Sequence, residues 1–209
     1  MAKAFAIVAR EFPEFRRAYC KFPLPHLYEY PGSVASIMVE RVIEGERGVL
    51  SLRIKEPDTR PLSELSTLIQ DAATLPIPSI SSFRQALRLA SWPRPVRRLL
   101  LWLGLNLGRQ RANYFGTFGI TVYSSLGAES LHPLSPLTAT MNYGVIQPTG
   151  EADVRIIYDH RVMDGATVAR ALERLETILN HEIVDELVGM GMGEPSRSDS
   201  PEVCRPLAH

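Results

Sequence analysis

Residues 154–180 constrain this chain more than any other stretch. Val154, Ile156 and Tyr158 alternate with Arg155, Ile157 and Asp159, the period of two expected of a strand with one more buried face. From Val168 the period changes: Val168, Leu172, Leu175 and Leu179, supported by Ala171 and Ile178, recur at helical spacing, while Arg170, Glu173, Arg174 and Glu176 take the opposite face. Between strand and helix runs Asp159-His160-Arg161-Val162-Met163-Asp164-Gly165, a tight strand-to-helix turn. Gly165 allows a close backbone approach there, and Asp164 is placed to accept hydrogen bonds from the first free N–H groups of the helix. A strand running one residue further puts His160 on the side of Val154, Ile156 and Tyr158. A histidine held in such a turn suits a general base, since imidazole is the side chain whose ordinary pKa lies nearest working pH.

A second constellation lies upstream. Phe118, Ile120 and Val122 alternate with Gly119, Thr121 and Tyr123, and the chain then reads Ser124-Ser125-Leu126-Gly127. Strand parity puts Ser124 on the face of Phe118, Ile120 and Val122, where a hydroxyl can point into a site. A preorganised donor of this kind is worth roughly 2.7–4 kcal/mol to a developing oxyanion. A turn-forming serine is the alternative, and Ser125 can exchange roles with Ser124.

The His-x-x-x-Asp-Gly core of His160, Asp164 and Gly165, preceded by Asp159 and followed by an amphipathic helix, resembles the signature of the catalytic domain of dihydrolipoamide acyltransferases. These are the E2 components of 2-oxoacid dehydrogenase complexes, and their catalytic domain is similar to chloramphenicol acetyltransferase, which has a second histidine in the place of Asp159. The strand ending in Ser124 before Leu126-Gly127 is similar to the family's strand ending in Ser or Thr before Leu-Gly. Weaker likeness follows the order of elements: Glu11-Phe12-Pro13-Glu14-Phe15 after an apolar helical stretch, two strands joined at Glu44 to Gly48, then Pro61-Leu62-Ser63-Glu64-Leu65.

The resemblance implies a chloramphenicol acetyltransferase-like α/β two-layer sandwich, with a mixed sheet and helices on one side. It also implies a coenzyme A-dependent acyltransferase in which His160 is the general base, Ser124 the oxyanion donor and Asp164 a support of the turn. Acyl-coenzyme A is then the donor substrate, and the acceptor is a small-molecule or carrier-bound thiol, hydroxyl or amine. The implied assembly is a homotrimer with sites between subunits, His160 of one chain facing Ser124 of the next; neither a metal nor a lipoyl group bound covalently to this chain is required. In the family, an arginine on the first strand holds the motif's aspartate. This chain is read as beginning after that point, so another arginine replaces it or the turn is held less firmly. No lipoyl domain, swinging linker or peripheral-subunit-binding module is read, which makes a stand-alone form the expectation. The rival is a non-catalytic trimeric scaffold or binding module that keeps the fold.

With 209 residues and 45% apolar composition, the chain can bury one sizeable α/β core. The expected boundaries are 1–190 for the acyltransferase-like domain, with 76–111 as a variable helical insertion, and 193–209 for a disordered tail. Lys plus Arg and Asp plus Glu both total 23, which leaves no global electrostatic case for nucleic acid. Cys20 and Cys204 suggest neither a disulfide nor a metal site, and with no secretion signal a cytoplasmic location is the simplest reading. His132, near the Ser124 turn, reads as an ordinary loop histidine, and His26 and His181 have no constellation around them.

Helices are expected over 4–12, 62–73, 81–91 and 96–107, and strands over 36–43 and 49–55. In the insertion, Leu99 to Leu103 lies among Arg84, Arg88, Arg94, Arg97, Arg98, Arg109 and Arg111. That run is too short to span a bilayer, which needs about 20 apolar residues. Packing against a neighbouring subunit or lining an acyl pocket is the preferred reading, with some arginines meeting coenzyme A phosphates. Membrane contact through 81–111 is the less favoured one.

Overall fold

The computed structural model describes residues 1–122 and 134–191. Its centre is a five-stranded mixed sheet in the order β4-β3-β5-β6-β7, built from β3 (Val34–Ile43), β4 (Glu46–Lys55), β5 (Phe118–Val122), β6 (Ala139–Tyr143) and β7 (Val154–Tyr158). β3 runs parallel to β5 and β5 to β6, while β4 and β7 run antiparallel at the two edges. The β3–β4 hairpin turns through Glu44 and Gly45, with φ of 53° and 86°. Ile43 pairs with Glu46 across it, so the loop has two residues, both in the left-handed conformation that matches the strands' twist.

Register sorts the sheet into two faces. Ile37 with Leu52, Phe118 with Ala139 and Ile120 with Met141 share one face and belong to the main apolar core. That face is covered by α1 (Ala2–Glu11) and α6 (Gly165–Asn180), joined by α2 (Leu62–Thr74). In α1 every residue from Ala4 to Ala9 is buried, as befits a helix enclosed on all sides. Arg174 of α6 locks it in place, donating to both carboxylate oxygens of Glu11 at 2.7 and 2.8 Å and to Glu182 at 2.7 Å. Glu182 opens a short C-terminal helix, α7 (Glu182–Gly189).

Helices do not stay on one side, as the sequence suggested. Arg53 projects from the opposite face of β4 and donates to the carbonyl of Tyr114 at 2.7 Å, tying down α5 (Gly108–Phe115), and to Gln85 of α3 (Ser81–Ala90) at 2.5 Å. The second face is itself polar yet closed, with Ser36, Thr140 and Asn142 nearly inaccessible, so it needs cover. α4 (Arg94–Asn106) connects α3 to α5.

The expected helices and the β3–β4 pair occur within a few residues of their anticipated ends. Not anticipated were α5, α7, β6 and a separate antiparallel pair, β1 (Arg17–Cys20) with β2 (His26–Glu29). β7 also differs from expectation, because all five of its residues are half-buried rather than one face being favoured. It is an edge strand, so neither face is fully covered. Among the described residues no helix is long and apolar enough to cross a membrane.

Candidate active site

The turn after β7 is built as the sequence indicated. Strand pairing continues one residue past β7, with Asp159 N–H donating to Thr138 C=O at 2.9 Å; the chain then doubles back, Val162 and Met163 N–H both donating to Asp159 C=O at 2.9 and 3.3 Å. Val162 and Met163 are buried in the main core. Two apolar anchors thus hold down the inner side of the turn while His160 and Arg161 face outward, both exposed.

The His160 ring lies against the ring of Tyr158, centroids 4.6 Å apart and planes at 52°. It therefore sits on the Tyr158 side, as strand parity implies. No side chain among the described residues makes a hydrogen bond to its nitrogens, so contact with Tyr158 is what orients the imidazole within this chain. The Tyr158 hydroxyl in turn abuts Gly165, where an added Cβ would come within 3.2 Å of it. A side chain at Gly165 would have to push the Tyr158 hydroxyl back by a few tenths of an ångström, and the contact of Tyr158 with the His160 ring is one that sequence reasoning missed. The alternation of Tyr158 with Ile156 was the available signal.

Asp159 and Arg161 form a closed pair. The guanidinium Nε reaches both carboxylate oxygens at 2.9 and 3.1 Å, Nη2 reaches Oδ2 at 2.6 Å, and the Arg161 backbone N–H adds a bond of 3.0 Å to Oδ1. The guanidinium carbon also stands 4.4 Å from the ring centroid of Tyr19 on β1, a cation–π contact that ties the turn to the small hairpin. Hydrogen bonds from the Arg161 side chain hold the Asp159 carboxyl below the usual aspartate range, against partial burial that acts the other way.

That depression has a sign that can be tested. A carboxyl whose folded-state pKa is lowered stabilises the fold above its unfolded value, and the contribution disappears as pH falls through the folded value. Arg161→Ala is therefore expected to melt below the parent at neutral pH, with the difference closing as pH drops below the ordinary value of 3.8. Thermal melts over an acid pH series check this; a gap that persists unchanged into strong acid would contradict it.

Asp164 caps α6, its Oδ1 accepting from Thr167 N–H at 2.8 Å. The carboxyl is held below its ordinary range chiefly by that backbone bond. No arginine or lysine among the described residues comes within ion-pair distance of it. Arg161, the arginine of the turn, goes to Asp159 instead. Ser124, Ser125 and His132 lie outside the described residues, as does the 193–209 segment. β5, which leads to Ser124, ends at Val122 beside Tyr143 and Val154, whereas His160 lies beyond the other end of the sheet, past Tyr158 and Ala139. Among the described residues there is no group of three or more metal-ligating side chains, and no cofactor contact is defined by the turn itself.

No protein-family model matches the sequence, and no curated protein matches it. Solved structures do match. The catalytic domain of Azotobacter vinelandii dihydrolipoamide acetyltransferase superposes with a TM-score of 0.57 at 18% identity, over 89% of this chain and 68% of that one. That structure accompanies work on the role of a serine, a histidine and, four residues beyond it, an asparagine in the enzyme's catalytic mechanism. A truncated catalytic core of the 2-oxoacid dehydrogenase multienzyme complex from Thermoplasma acidophilum gives 0.51 at 18% identity, over 85% of this chain and 72% of that one. The cubic core of a pyruvate dehydrogenase multienzyme complex gives 0.50 at 20% identity, over 89% and 68%. The chain therefore has the fold of these E2 catalytic domains, an α/β sandwich with a mixed sheet, as its sequence resemblance implied.

Proposed function

We propose that this chain is an acyltransferase that takes an acyl group from an acyl-coenzyme A thioester, with His160 as the general base. The observation that carries the reading is the presentation of His160: an exposed imidazole on a turn anchored by Val162 and Met163, set against Tyr158, four residues before the Asp164 cap. The histidine and asparagine of the A. vinelandii enzyme have the same spacing.

In this mechanism a neutral His160 nitrogen takes the proton from an acceptor thiol, hydroxyl or amine as the acceptor attacks the thioester carbonyl. The tetrahedral oxyanion accepts a hydrogen bond from the Ser124 hydroxyl. Collapse breaks the carbon–sulfur bond, and the departing coenzyme A thiolate recovers the proton from the imidazolium. Asp164 supports the base by starting α6 at a fixed point.

An exposed base needs a second wall, and the sheet supports the view that another chain supplies it. Val122 and Tyr158 are at opposite ends of the sheet, separated by four strand steps, about 13 Å along the strands, and β5 leads away from His160. With β5 directed away from His160, the reading is that Ser124 of one chain meets His160 of another, in a closed head-to-tail ring such as a trimer. The test is subunit complementation. His160→Ala and Ser124→Ala are each prepared alone and as a mixed oligomer, and transfer from acetyl-coenzyme A to a dithiol is followed chromatographically. The mixture is expected to recover about a quarter of the parent rate, the share of intact pairs from random mixing in a head-to-tail ring. A mixture no more active than the mean of its two components would sink the between-chain site.

The alternative, a non-catalytic scaffold with the same fold, draws on one observation, the absence among the described residues of a basic partner for Asp164. Thioester turnover by the parent protein separates the two readings.

A further inference from the structure

The charges of this chain are unevenly shared. From Ala72 to Ala128 the sequence has seven arginines and no acidic residue, so 16 basic groups face 23 acidic ones in the remainder. One of the seven, Arg111, is buried and spends its guanidinium on the backbone carbonyls of Tyr19, Leu105 and Pro136. The other six, Arg84, Arg88, Arg94, Arg97, Arg98 and Arg109, have no carboxylate among the described residues within ion-pair distance. Elsewhere, Arg10, Arg16, Arg17, Arg60, Arg161 and Arg174 each have one, while Arg41, Arg53 and Arg170 bond to carbonyls or neutral side chains. Two of the unpaired six use a guanidinium N–H on a nearby carbonyl, Arg84 on Pro78 and Arg97 on Ala90. That leaves their charge without a carboxylate partner among the described residues.

The same helices, and the turn between α3 and α4, expose apolar side chains. Trp92 and Trp102 are each 47% exposed and Leu99 56%. On α4, Val96, Leu99, Leu100 and Leu103 recur at steps of three and four, which aligns them along one side of the helix. Helical phase puts Arg97 beyond one border of that stripe and Arg98 beyond the other. Trp102 meets Phe22 edge-on at 6.0 Å, and Phe22 is itself 46% exposed, so the loop after β1 widens the apolar surface. Between α3, α4, α5 and β4 lies a cleft of about 660 Å³, whose lining includes Leu89, Trp92, Leu100 and Leu107.

We propose that α3, α4 and the start of α5 form a docking surface for an anionic lipid bilayer, with the tryptophans and leucines entering the interface and the six arginines meeting lipid phosphates. The complementarity is of two kinds at once. Arginines are drawn to an anionic leaflet, and a shallow apolar stripe between them gains by leaving water. Neither element calls for the other at a nucleic-acid surface, where an exposed leucine row has no counterpart. Contact with a second copy through the same face would oppose arginine to arginine. A single coenzyme A is small beside a surface that spans three helices, of which α4 alone is about 20 Å long. This proposal goes beyond the acyltransferase reading and stands or falls separately from it.

The chain reports on this surface directly, because Trp92 and Trp102 are its only tryptophans. Full-length protein is mixed with phosphatidylcholine vesicles, with or without about 30% phosphatidylserine, and read by tryptophan emission and co-sedimentation. The expected result is a blue shift and at least about tenfold tighter binding to the anionic vesicles, reversed by about 0.5 M salt. Combined Arg94→Ser, Arg98→Ser and Arg109→Ser changes, all at exposed positions, are expected to weaken binding about tenfold or more with the circular dichroism spectrum unchanged. Leu99→Asn, at a single exposed site, is expected to reduce the blue shift. The proposal is overturned by absence of vesicle binding at low salt, or by equal binding of parent and triple variant. It is also overturned if coenzyme A alone shifts the emission while vesicles do not, or if the triple variant changes only the oligomeric state.

Discussion

In His160→Ala, turnover of an acyl-coenzyme A thioester is expected to fall by about 10²–10⁴-fold, the usual yield of a positioned general base. Stability is expected to be unchanged. His160 is exposed, fills no cavity and makes no hydrogen bond with another described residue, so its removal leaves no buried group without a partner. Turnover and folding should therefore separate cleanly. His160→Gln keeps most of the bulk against Tyr158 but cannot take up the proton, and its turnover should be as low as that of the alanine variant. If glutamine restores much of the rate, the imidazole is a spacer and the base lies elsewhere. If both variants turn over thioester at the parental rate, the assignment of His160 as the base fails, although the turnover itself still argues for an enzyme. The melting temperature, measured on the same samples, shows whether a lost rate reflects a lost fold.

The largest effect on folding is expected from Phe5→Ala. Phe5 is fully buried at the middle of α1, and its ring packs edge-on against Phe15 at 5.4 Å and Phe118 at 4.8 Å. It joins the first helix to a central strand of the sheet. Truncation of a core phenylalanine costs about 3–5 kcal/mol, and edge-to-face pairs contribute about 0.5–1.5 kcal/mol beyond the area they bury. A loss near the upper end of the range is expected, because two such pairs go at once and α1 is enclosed too tightly to collapse into the space. For a domain of this size that corresponds to a fall in Tm of roughly 10–20 °C. Urea unfolding should show a lower midpoint with an unchanged slope; a loss under about 2 kcal/mol would mean that the neighbouring helices repack.

Some elements were legible because one physical signal decided them. Leu50, Leu52 and Ile54 face the core while Ser51, Arg53 and Lys55 do not, so β4 shows the alternation of a strand covered unequally on its two sides. α6 carries its stripe and its cap in plain view. β6 was not legible, since Thr140 and Asn142 are as buried as Ala139 and Met141. With both faces closed and one of them polar, hydrophobic alternation carries no message. β1 and β2 are four residues each and are joined by a cross-strand ion pair, Arg17 to Glu29 at 2.8 Å. α5 reads as part of an arginine cluster, and nothing in composition tells that Arg111 turns inward to backbone carbonyls while its neighbour Arg109 stays in solvent.

The site divides along the same line. His160, Asp164 and Gly165 belong to one local turn, and local spacing was enough to place them. The partners that shape the turn come from further away or through geometry: Tyr19 from β1, the Asp159–Arg161 fork, and Tyr158 acting on two neighbours at once. An ion pair between residues two apart is hard to anticipate on a strand, where such neighbours share a face but lie far apart along it. It becomes available only because the chain has already left the strand at Asp159.

The missing carbon at Gly165 has one more consequence. Since the Tyr158 hydroxyl rests on bare backbone at the head of α6, the imidazole of His160 is aimed by a stack of surfaces rather than by a charge. Arg174 moors the same helix to the first one. Such alignment is mechanical: acid that undoes the Asp159 fork, or salt that screens it, leaves the stack of backbone, phenol and imidazole standing. Bearing and load are carried by different parts: the seat of the His160 ring on Tyr158 contains no charge pair, whereas the fork beside it does.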